Sequence, residues 1–506
     1  MTSDGSYVSI RIVSKDIQIP RNVFPCEKPM MLEKSPRYSR IVCTLGPASD
    51  RPQILEAMIR AGMNVARLNF SHGTHQSHRD TFNRLRDAYR SIGREVAVMQ
   101  DLQGHKVRVG TVVTGDALRL ALGQIIRLGS GDAVTSERIG IDYDEIANFV
   151  EPGHHIYLSD GMIDLKVVDK KGGDLICEVI IEGVLGSRKG AIFSHSDLEF
   201  PLINEKDLAD AEFGAELGVD MIAMSFVRTA TEIFEMRIRL GEWGAGESFI
   251  IAKIEDRKGI DNIDEILDAA DGILIARGDL GVSLPREQVP AIQAQIIRKA
   301  NARGVPVITA TQMLESMIEL HRPTRAEVTD VYGAIVAGSD AVMLSGETAS
   351  GRFPVQAVEE MDRICQAAEA ELGKRHPDAV QIKGREGLHD RMAEATVTLV
   401  KRMKARCVIG FSLSGATLRS LAAARIGVPV YGVVNSVRVS RQLLLHRGLS
   451  LLTMPQSKQL ADLINPLIER FKAEKIISTG DHVVMVAGEI DDQGRSTYLA
   501  KVILIN

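Results

Sequence analysis

The sequence predicts an α/β protein: a (β/α)8 TIM barrel, interrupted by a small inserted β-barrel lid and followed by a separate C-terminal α/β domain. Three observations carry this. Short β-branched runs alternate with helical patterns in eight βα units. The rhythm breaks between Arg108 and about Pro201, where glycines recur and helices give way to short alternating runs. A second α/β alternation begins after Ala370. The length of 506 residues suits about three domains at roughly 150 residues each.

Taken in order, residues 1–37 hold Pro20, Pro25, Pro29 and Pro36 without a basic-then-apolar pattern, so they read as an N-terminal arm and not a signal peptide. The barrel is expected over 38–107 and 202–370. Its first strand is Ile41 to Thr44, followed by a helix over Gln53 to Ala61 that stops at Gly62. Strands at Val65 to Leu68 and Val96 to Met99 follow. The inserted domain, 108–201, reads as antiparallel from runs such as Ile163 to Val168 and Ile176 to Ile181. Barrel strands resume at Met221 to Met224, Phe249 to Ala252, Gly272 to Ala276, Val305 to Thr309 and Asp340 to Leu344. Eight units over about 240 residues match a closed barrel, with an open doubly wound sheet as the alternative. Residues 371–506 open on a charged helical join and continue with strands at Cys407 to Phe411, Val430 to Val434, His482 to Val486 and Val502 to Ile505.

Composition excludes several classes. Lys+Arg 61 against Asp+Glu 66 gives a formal charge of −5, which argues against nucleic acid as the main partner. No run of about 18 apolar residues exists, so no membrane-spanning helix is expected. Apolar residues at 45% and charged residues at 25% are those of a globular chain, not a disordered one. Cys26, Cys43, Cys177, Cys365 and Cys407 are scattered and odd in number, which favours reduced thiols in a cytoplasmic protein.

In a barrel of this kind the active site lies at the carboxyl ends of the strands. Polar residues gather there: Arg67, Asn69, Ser71 and His72 after the second strand, Asp101, Lys106 and Arg108 after the third. Ser225, Lys253 with Glu255, Arg277 with Asp279, and Thr311 follow the next four. Alternation places Lys253 and Glu255 on one face, either as an ion pair closing the sheet or as site residues. Asp279 is either a helix N-cap or, with Glu255, the second hard-oxygen ligand of a Mg²⁺ ion held against a phosphorylated or enolised substrate. Arg67 and Arg108 offer forked donors for phosphate or carboxylate. His72 is assigned only nucleotide or loop contact. Thr311 is either an N-cap or a member of a proton relay.

These residues resemble the pyruvate kinase family. The matching segments are IVCTLGPAS (Ile41 to Ser49), NVARLNFSHG (Asn64 to Gly73), AKIE (Ala252 to Glu255) and IARGDLG (Ile275 to Gly281). TATQMLESM (Thr309 to Met317), RPTRAE (Arg322 to Glu327) and MLSGET (Met343 to Thr348) complete the set in the expected order. The resemblance implies phosphoryl transfer from phosphoenolpyruvate to ADP, giving pyruvate and ATP. Glu255 and Asp279 then hold Mg²⁺, with Mn²⁺ as a substitute. Lys253, Arg67 and Thr311 are the catalytic residues. Ser225, Gly278 and Asp279 join them in binding substrate, with backbone donors at the helix start facing the carboxylate. The nucleotide phosphates meet Arg67, His72, Arg108 and Lys189. Such chemistry asks for positioning and electrostatics more than covalent participation.

Two departures from the family pattern matter. Many members carry Asp-Thr-Lys-Gly-Pro-Glu after the third strand and require K⁺. Here the run is Asp101-Leu102-Gln103-Gly104-His105-Lys106. The monovalent-cation position, formed by Asn69, Ser71, Asp101 and the Leu102 carbonyl, is expected to be served by the Lys106 ammonium, so that K⁺ is not required. The lid segment from Lys189 to His195 also lacks the usual pattern. In the last domain Ser412, Ser414, Gly415, Ala416 and Thr417 form a strand-to-helix loop, which the resemblance assigns to a sugar-phosphate or nucleotide effector and the bland reading to an ordinary turn. A homotetramer is implied. The competing readings are a metal-dependent barrel lyase or aldolase acting through a pyruvate enolate, and a non-catalytic phosphometabolite sensor.

Overall fold

Eight parallel strands close into a barrel: β1 (Arg40–Thr44), β2 (Val65–Asn69), β3 (Ala97–Asp101), β4 (Met221–Met224), β5 (Phe249–Ile254), β6 (Gly272–Ala276), β7 (Val307–Ala310) and β8 (Ala341–Leu344). β1 closes the ring against β8, pairing Arg40 with Ala341 through Cys43 with Leu344. The open-sheet alternative is thereby excluded. The computed structural model describes residues 37–113, 115–159, 161–194, 196, 198–374, 387–454, 460–490 and 496–506. The expected arm, apart from residue 37, lies outside them, as do Cys26 and His195.

Period-two alternation decides what fills the barrel. One face of each strand, including Val42, Val65, Ala97, Met99, Met221, Ala223, Phe249, Ile251, Leu274 and Ile308, packs into the interior. The other face, including Ile41, Ala66, Val98, Ile222, Ile250 and Ile273, packs against the surrounding helices. Continuing the inward series by two residues reaches Thr44, Arg67, Asp101, Ser225 and Lys253. The barrel interior therefore changes from apolar to polar and charged at its carboxyl end.

β5 runs to Ile254 and β3 to Asp101, two residues beyond the expected ends, so Lys253 and Asp101 are themselves strand residues. The helix after β1 spans Pro52–Ala61 with Gly62 in the C-cap, as expected. Between β3 and β4 the chain forms an eight-stranded sheet and a separate two-stranded sheet over their own apolar core. Most pairs are antiparallel. Ile125–Ser130 with Arg138–Ile141 and Thr111–Val112 with Ala133–Val134 are parallel, which the antiparallel expectation missed.

The last domain is a five-stranded sheet of β9 (Cys407–Phe411), β10 (Val430–Val434), β11 (Leu449–Thr453), β12 (His482–Ile490) and β13 (Ser496–Leu504), in the order 11-10-9-12-13. β11 was not expected, and β13 pairs antiparallel with β12. The domain docks on the barrel through charged groups: the wholly buried Arg40 donates to the carbonyls of His446 and Leu449, and Arg441 meets Glu95 at 2.7 Å. Cys43, Cys177, Cys365 and Cys407 are free and buried, and burial pushes the Cys177 and Cys407 thiols up to about 12. Among the described residues no helix is long and apolar enough to cross a membrane.

Candidate active site

The charged layer at the barrel's carboxyl end is a connected network. Asp101 accepts from Arg67 Nε at 2.5 Å on one oxygen and from Lys253 Nζ at 3.0 Å on the other. Lys253 also lies 3.2 Å from Glu255 Oε1 and donates to Ser225 Oγ at 2.5 Å. Ser225 O–H in turn donates to the Leu102 carbonyl at 2.7 Å. Arg67 Nη1 donates to Thr44 Oγ1 at 2.9 Å, and Thr44 donates to Leu344 O at 2.9 Å.

These groups carry unequal charge states. Burial opposes the charge on Asp101, yet Arg67 and Lys253 hold its carboxyl below the usual carboxylate range. Burial likewise opposes the Lys253 charge, and the Asp101 and Glu255 carboxylates nonetheless hold it as an ammonium above its ordinary value. Glu255 behaves oppositely. Burial raises it, Lys253 only partly offsets this, and Asp279 and Asp101 add repulsion, so it sits at about 7. Glu255 is thus a carboxylate short of positive charge, although Phe226 N–H donates to Oε2 at 2.7 Å.

A cavity of about 460 Å³ stands over this layer. It brings together Arg67, Asn69, Ser71, His72, Lys106, Arg108, Lys189, Ser225, Lys253, Glu255 and Asp279, all named from the sequence. Gln103, Ser187, Arg188, Gly190 and Phe226 were not among the expected site residues, and they line it too. Cations dominate the lining: Arg67, Lys106, Arg108, Arg188, Lys189 and Lys253 face Glu255 and Asp279. Asn69 Oδ1 accepts from Ser71 N–H at 3.1 Å. Lys106 reaches toward the lid, since a Cβ at Gly190 would lie 2.6 Å from its Cε.

The helix after β6, Arg277–Ser283, has Ala276 in the N-cap position and no side-chain cap. Asp279 is in its first turn, so the N-cap alternative for Asp279 does not hold. The missing cap comes from across the barrel end: Thr311 Oγ1 accepts from Gly278 N–H at 2.8 Å and donates to Ala310 O at 2.6 Å. Thr311 therefore caps the helix after β6 and not one of its own, which corrects the N-cap alternative for that residue. It does so with φ +68, and Gln312 has φ +52. A β-branched residue rarely adopts that region without support. Arg277 supplies it, donating to Ala310 O at 3.2 Å and Thr311 O at 2.7 Å while Asp330 holds its other end at 2.6 Å.

Other supports had weak sequence signals. Thr44 follows from the alternation with Val42. Asp207 accepts from Gln103 and Gly104 N–H at 3.1 and 2.9 Å, fixing the turn that leaves β3. Gly104, at φ +74, is required there because a Cβ would lie 2.5 Å from Ser225 Cβ. In the last domain Gly415 has φ +82 and precedes the helix Ala416–Ala423. Thr417 is buried, and its hydroxyl pairs with His389 Nδ1 at 3.2 Å.

A closed barrel whose strand ends carry a cation-rich cavity, a buried ammonium and two carboxylates is the site of a barrel enzyme suited to small anionic metabolites. The family profile "Pyruvate kinase, barrel domain" matches residues 36–358, and "Pyruvate kinase, alpha/beta domain" matches 390–503. The chain is 40% identical over 476 residues to a pyruvate kinase of Geobacillus stearothermophilus, covering 93% of this chain and 81% of the relative. It is 39% identical to one of Sporosarcina psychrophila, over 93% of this chain and 80% of the relative. Pyruvate kinase 1 of Trypanosoma brucei brucei is 38% identical, with 90% of this chain and 94% of the relative covered. The chain belongs to the pyruvate kinase family. Its reaction is phosphoryl transfer from phosphoenolpyruvate to ADP, which sets aside the lyase, aldolase and sensor readings.

Proposed function

We propose that the cavity over Lys253 performs this transfer with the residues named from the sequence. The carrying observation is the single network in which Lys253 joins Asp101, Glu255 and Ser225 beneath a cation-lined cavity. Arg67 and Lys253 hold the phosphoryl group. The P–O bond to the enol oxygen breaks, the bond to the terminal ADP oxygen forms, and the electron pair stays on the enolate. Lys253, kept as an ammonium, stabilises both charges. The enolate carbon then takes a proton through Thr311 and water.

Gly278 N–H is occupied by Thr311 Oγ1. Substrate carboxylate arriving at Gly278 and Asp279 takes over that donor, which frees a lone pair on Thr311 Oγ1 to accept from a relay water while its own O–H stays on Ala310 O. Thus binding and proton delivery are coupled through one hydrogen bond. Nucleotide phosphates meet Arg67, His72, Arg108 and Lys189 beneath the inserted domain. The division into 38–107 with 202–370, 108–201 and 371–506 belongs to the same reading.

Glu255 and Asp279 suit Mg²⁺. Among the described residues no group of three or more His, Cys, Asp or Glu forms a metal cage. Two carboxylates, one of them starved of positive charge, leave the remaining ligand positions to substrate oxygens and water, which is how Mg²⁺ is usually held. Bound there, Mg²⁺ or Mn²⁺ supplies charge neutralisation for the phosphoryl group. K⁺ is not required. Lys106 brings a cation into a cavity already rich in them, and around Asn69, Ser71, Asp101 and Leu102 the Asp101 oxygens and the Leu102 carbonyl are taken by Arg67, Lys253 and Ser225.

The loop of Ser412, Ser414, Gly415, Ala416 and Thr417 is read as the effector site, for a sugar phosphate or nucleotide, in a cytoplasmic homotetramer. Activation curves with several sugar phosphates, compared with Ser414→Asp, test that part; no shift by any of them makes the loop structural. For catalysis the test is pyruvate release from phosphoenolpyruvate with and without ADP, in K⁺ or a bulky organic cation at constant ionic strength. Release must require ADP and be indifferent to K⁺.

A further inference from the structure

The lid is carried on two stems. The first leaves β3 and includes His105, Lys106 and Arg108; the second returns through Leu198, Glu199 and Phe200. Above the barrel the stems pair, with Val109 N–H donating to Lys189 O and Ala191 N–H to Val107 O, each at 2.8 Å. At the level of the barrel they meet differently. The His105 ring stacks on Phe200, centroids 4.8 Å apart and planes 19° apart. Arg228, just past β4, places its guanidinium 5.3 Å from the centre of the same Phe200 ring and donates to Leu198 O at 3.1 Å.

Arg228 is itself fixed. Its Nε meets Asp256 at 2.7 Å, its N–H donates to Glu232 at 2.9 Å, and its carbonyl accepts from Asn262 at 2.8 Å. Within the lid, Tyr143 meets Phe200 edge-on at 5.5 Å, donates its hydroxyl proton to Glu199 O at 2.9 Å and accepts from Glu199 N–H at 3.1 Å. Phe200 thus touches the first stem, the barrel and the body of the lid at once. No other described aromatic pair joins the two stems.

We propose that His105 is a positioning residue for the nucleotide half of the reaction: by stacking on Phe200 beside Arg228 it clasps both lid stems to the barrel and sets where Lys106 and Arg108 stand over the cavity. The proposal rests on the reading that lid residues meet the nucleotide. His105 touches no reacting atom. It acts through the stem it anchors, whose next residue, Lys106, lines the cavity over the charged layer. Phosphoenolpyruvate is held from the barrel side by Arg67, Lys253 and the helix after β6, whose hydrogen bonds run to Asp101, Thr44, Ser225 and Thr311 and not to His105 or Phe200. ADP binding is the step that a loosened clasp must weaken.

The experiment is steady-state kinetics with each substrate varied separately in wild type, His105→Ala, His105→Phe, Phe200→Leu and the double variant His105→Ala/Phe200→Leu. Amide hydrogen exchange of Val109 and Ala191 is followed in parallel. His105→Ala should raise KM for ADP by about three- to tenfold, the range a ring pair of this kind commands, and KM for phosphoenolpyruvate by less than about twofold. Exchange at Val109 and Ala191 should quicken. His105→Phe, which keeps a ring for the stack, should restore both readouts, and the double variant should be no worse than Phe200→Leu alone. An unchanged KM for ADP in a folded His105→Ala protein, equal rises for both substrates, or failure of His105→Phe to restore would overturn the clasp. Wild-type release of pyruvate without ADP would instead overturn the underlying functional reading.

Discussion

Replacing Lys253 by Met removes the ammonium that joins Asp101, Glu255 and Ser225, and its two consequences are separable. Lys253 is 8% exposed and lies 3.0 Å from Asp101 and 3.2 Å from Glu255. Breaking a buried pair by removing one partner costs about 3–5 kcal/mol. The structure places this case at the low end, about 3 kcal/mol, because both orphaned acids have a second recourse. Asp101 keeps Arg67 at 2.5 Å, and Glu255, at about 7 with Lys253 present, takes a proton readily without it. Catalysis has no such recourse. A cation aimed at a transferring phosphoryl group is worth about 10³–10⁵ in kcat, or roughly 4–7 kcal/mol. Pyruvate release coupled to NADH oxidation at saturating Mg²⁺, with a thermal melt of the same sample, reads both. The variant should stay folded and lose at least about a thousandfold in kcat. A folded Lys253→Met protein within tenfold of wild type would refute the assignment of Lys253.

Thr311→Val removes the acceptor of the Gly278 N–H and should lower kcat by at least tenfold, whereas Thr311→Ser keeps the hydroxyl and should stay within a few-fold; equal activity of the two in the coupled assay would count against the relay. Folded Glu255 holds its proton to about pH 7, against an ordinary value of 4.5 in the unfolded chain, so the metal-free protein binds more protons when folded across that window. Its melting temperature should therefore receive a falling contribution from this group as pH rises from about 5 to 7, while the increment produced by Mg²⁺ grows over the same range; an increment independent of pH would remove Glu255 from the metal site. Lys106→Glu should create stimulation by K⁺ that wild type lacks, read as the ratio of rates in K⁺ and tetramethylammonium; stimulation of the wild type would show that Lys106 does not serve the cation position.

Much of the site was legible because a barrel converts strand alternation directly into position. Once Phe249 and Ile251 face inward, Lys253 must continue them, and the same count from Val65, Met99 and Ala223 reaches Arg67, Asp101 and Ser225. It also reaches Thr44, which the sequence reading passed over. The remaining gaps have tertiary causes. That Thr311 caps the helix after β6, and that Arg277 holds Thr311 and Gln312 at positive φ, depend on contacts between strand ends far apart in sequence. The stack of His105 on Phe200 has no local signal because the two lie on opposite stems of the lid. The parallel pairs within the insertion and the strand β11 depend on which segments meet, which local periodicity does not encode.

The most direct test of the central claim follows phosphorus itself. Phosphorus NMR of the purified protein with phosphoenolpyruvate, ADP and Mg²⁺ should show the phosphoenolpyruvate resonance decaying in one-to-one step with growth of the ATP γ-phosphate, and no such transfer by Lys253→Met. Decay into inorganic phosphate, or decay without ADP, would contradict the account.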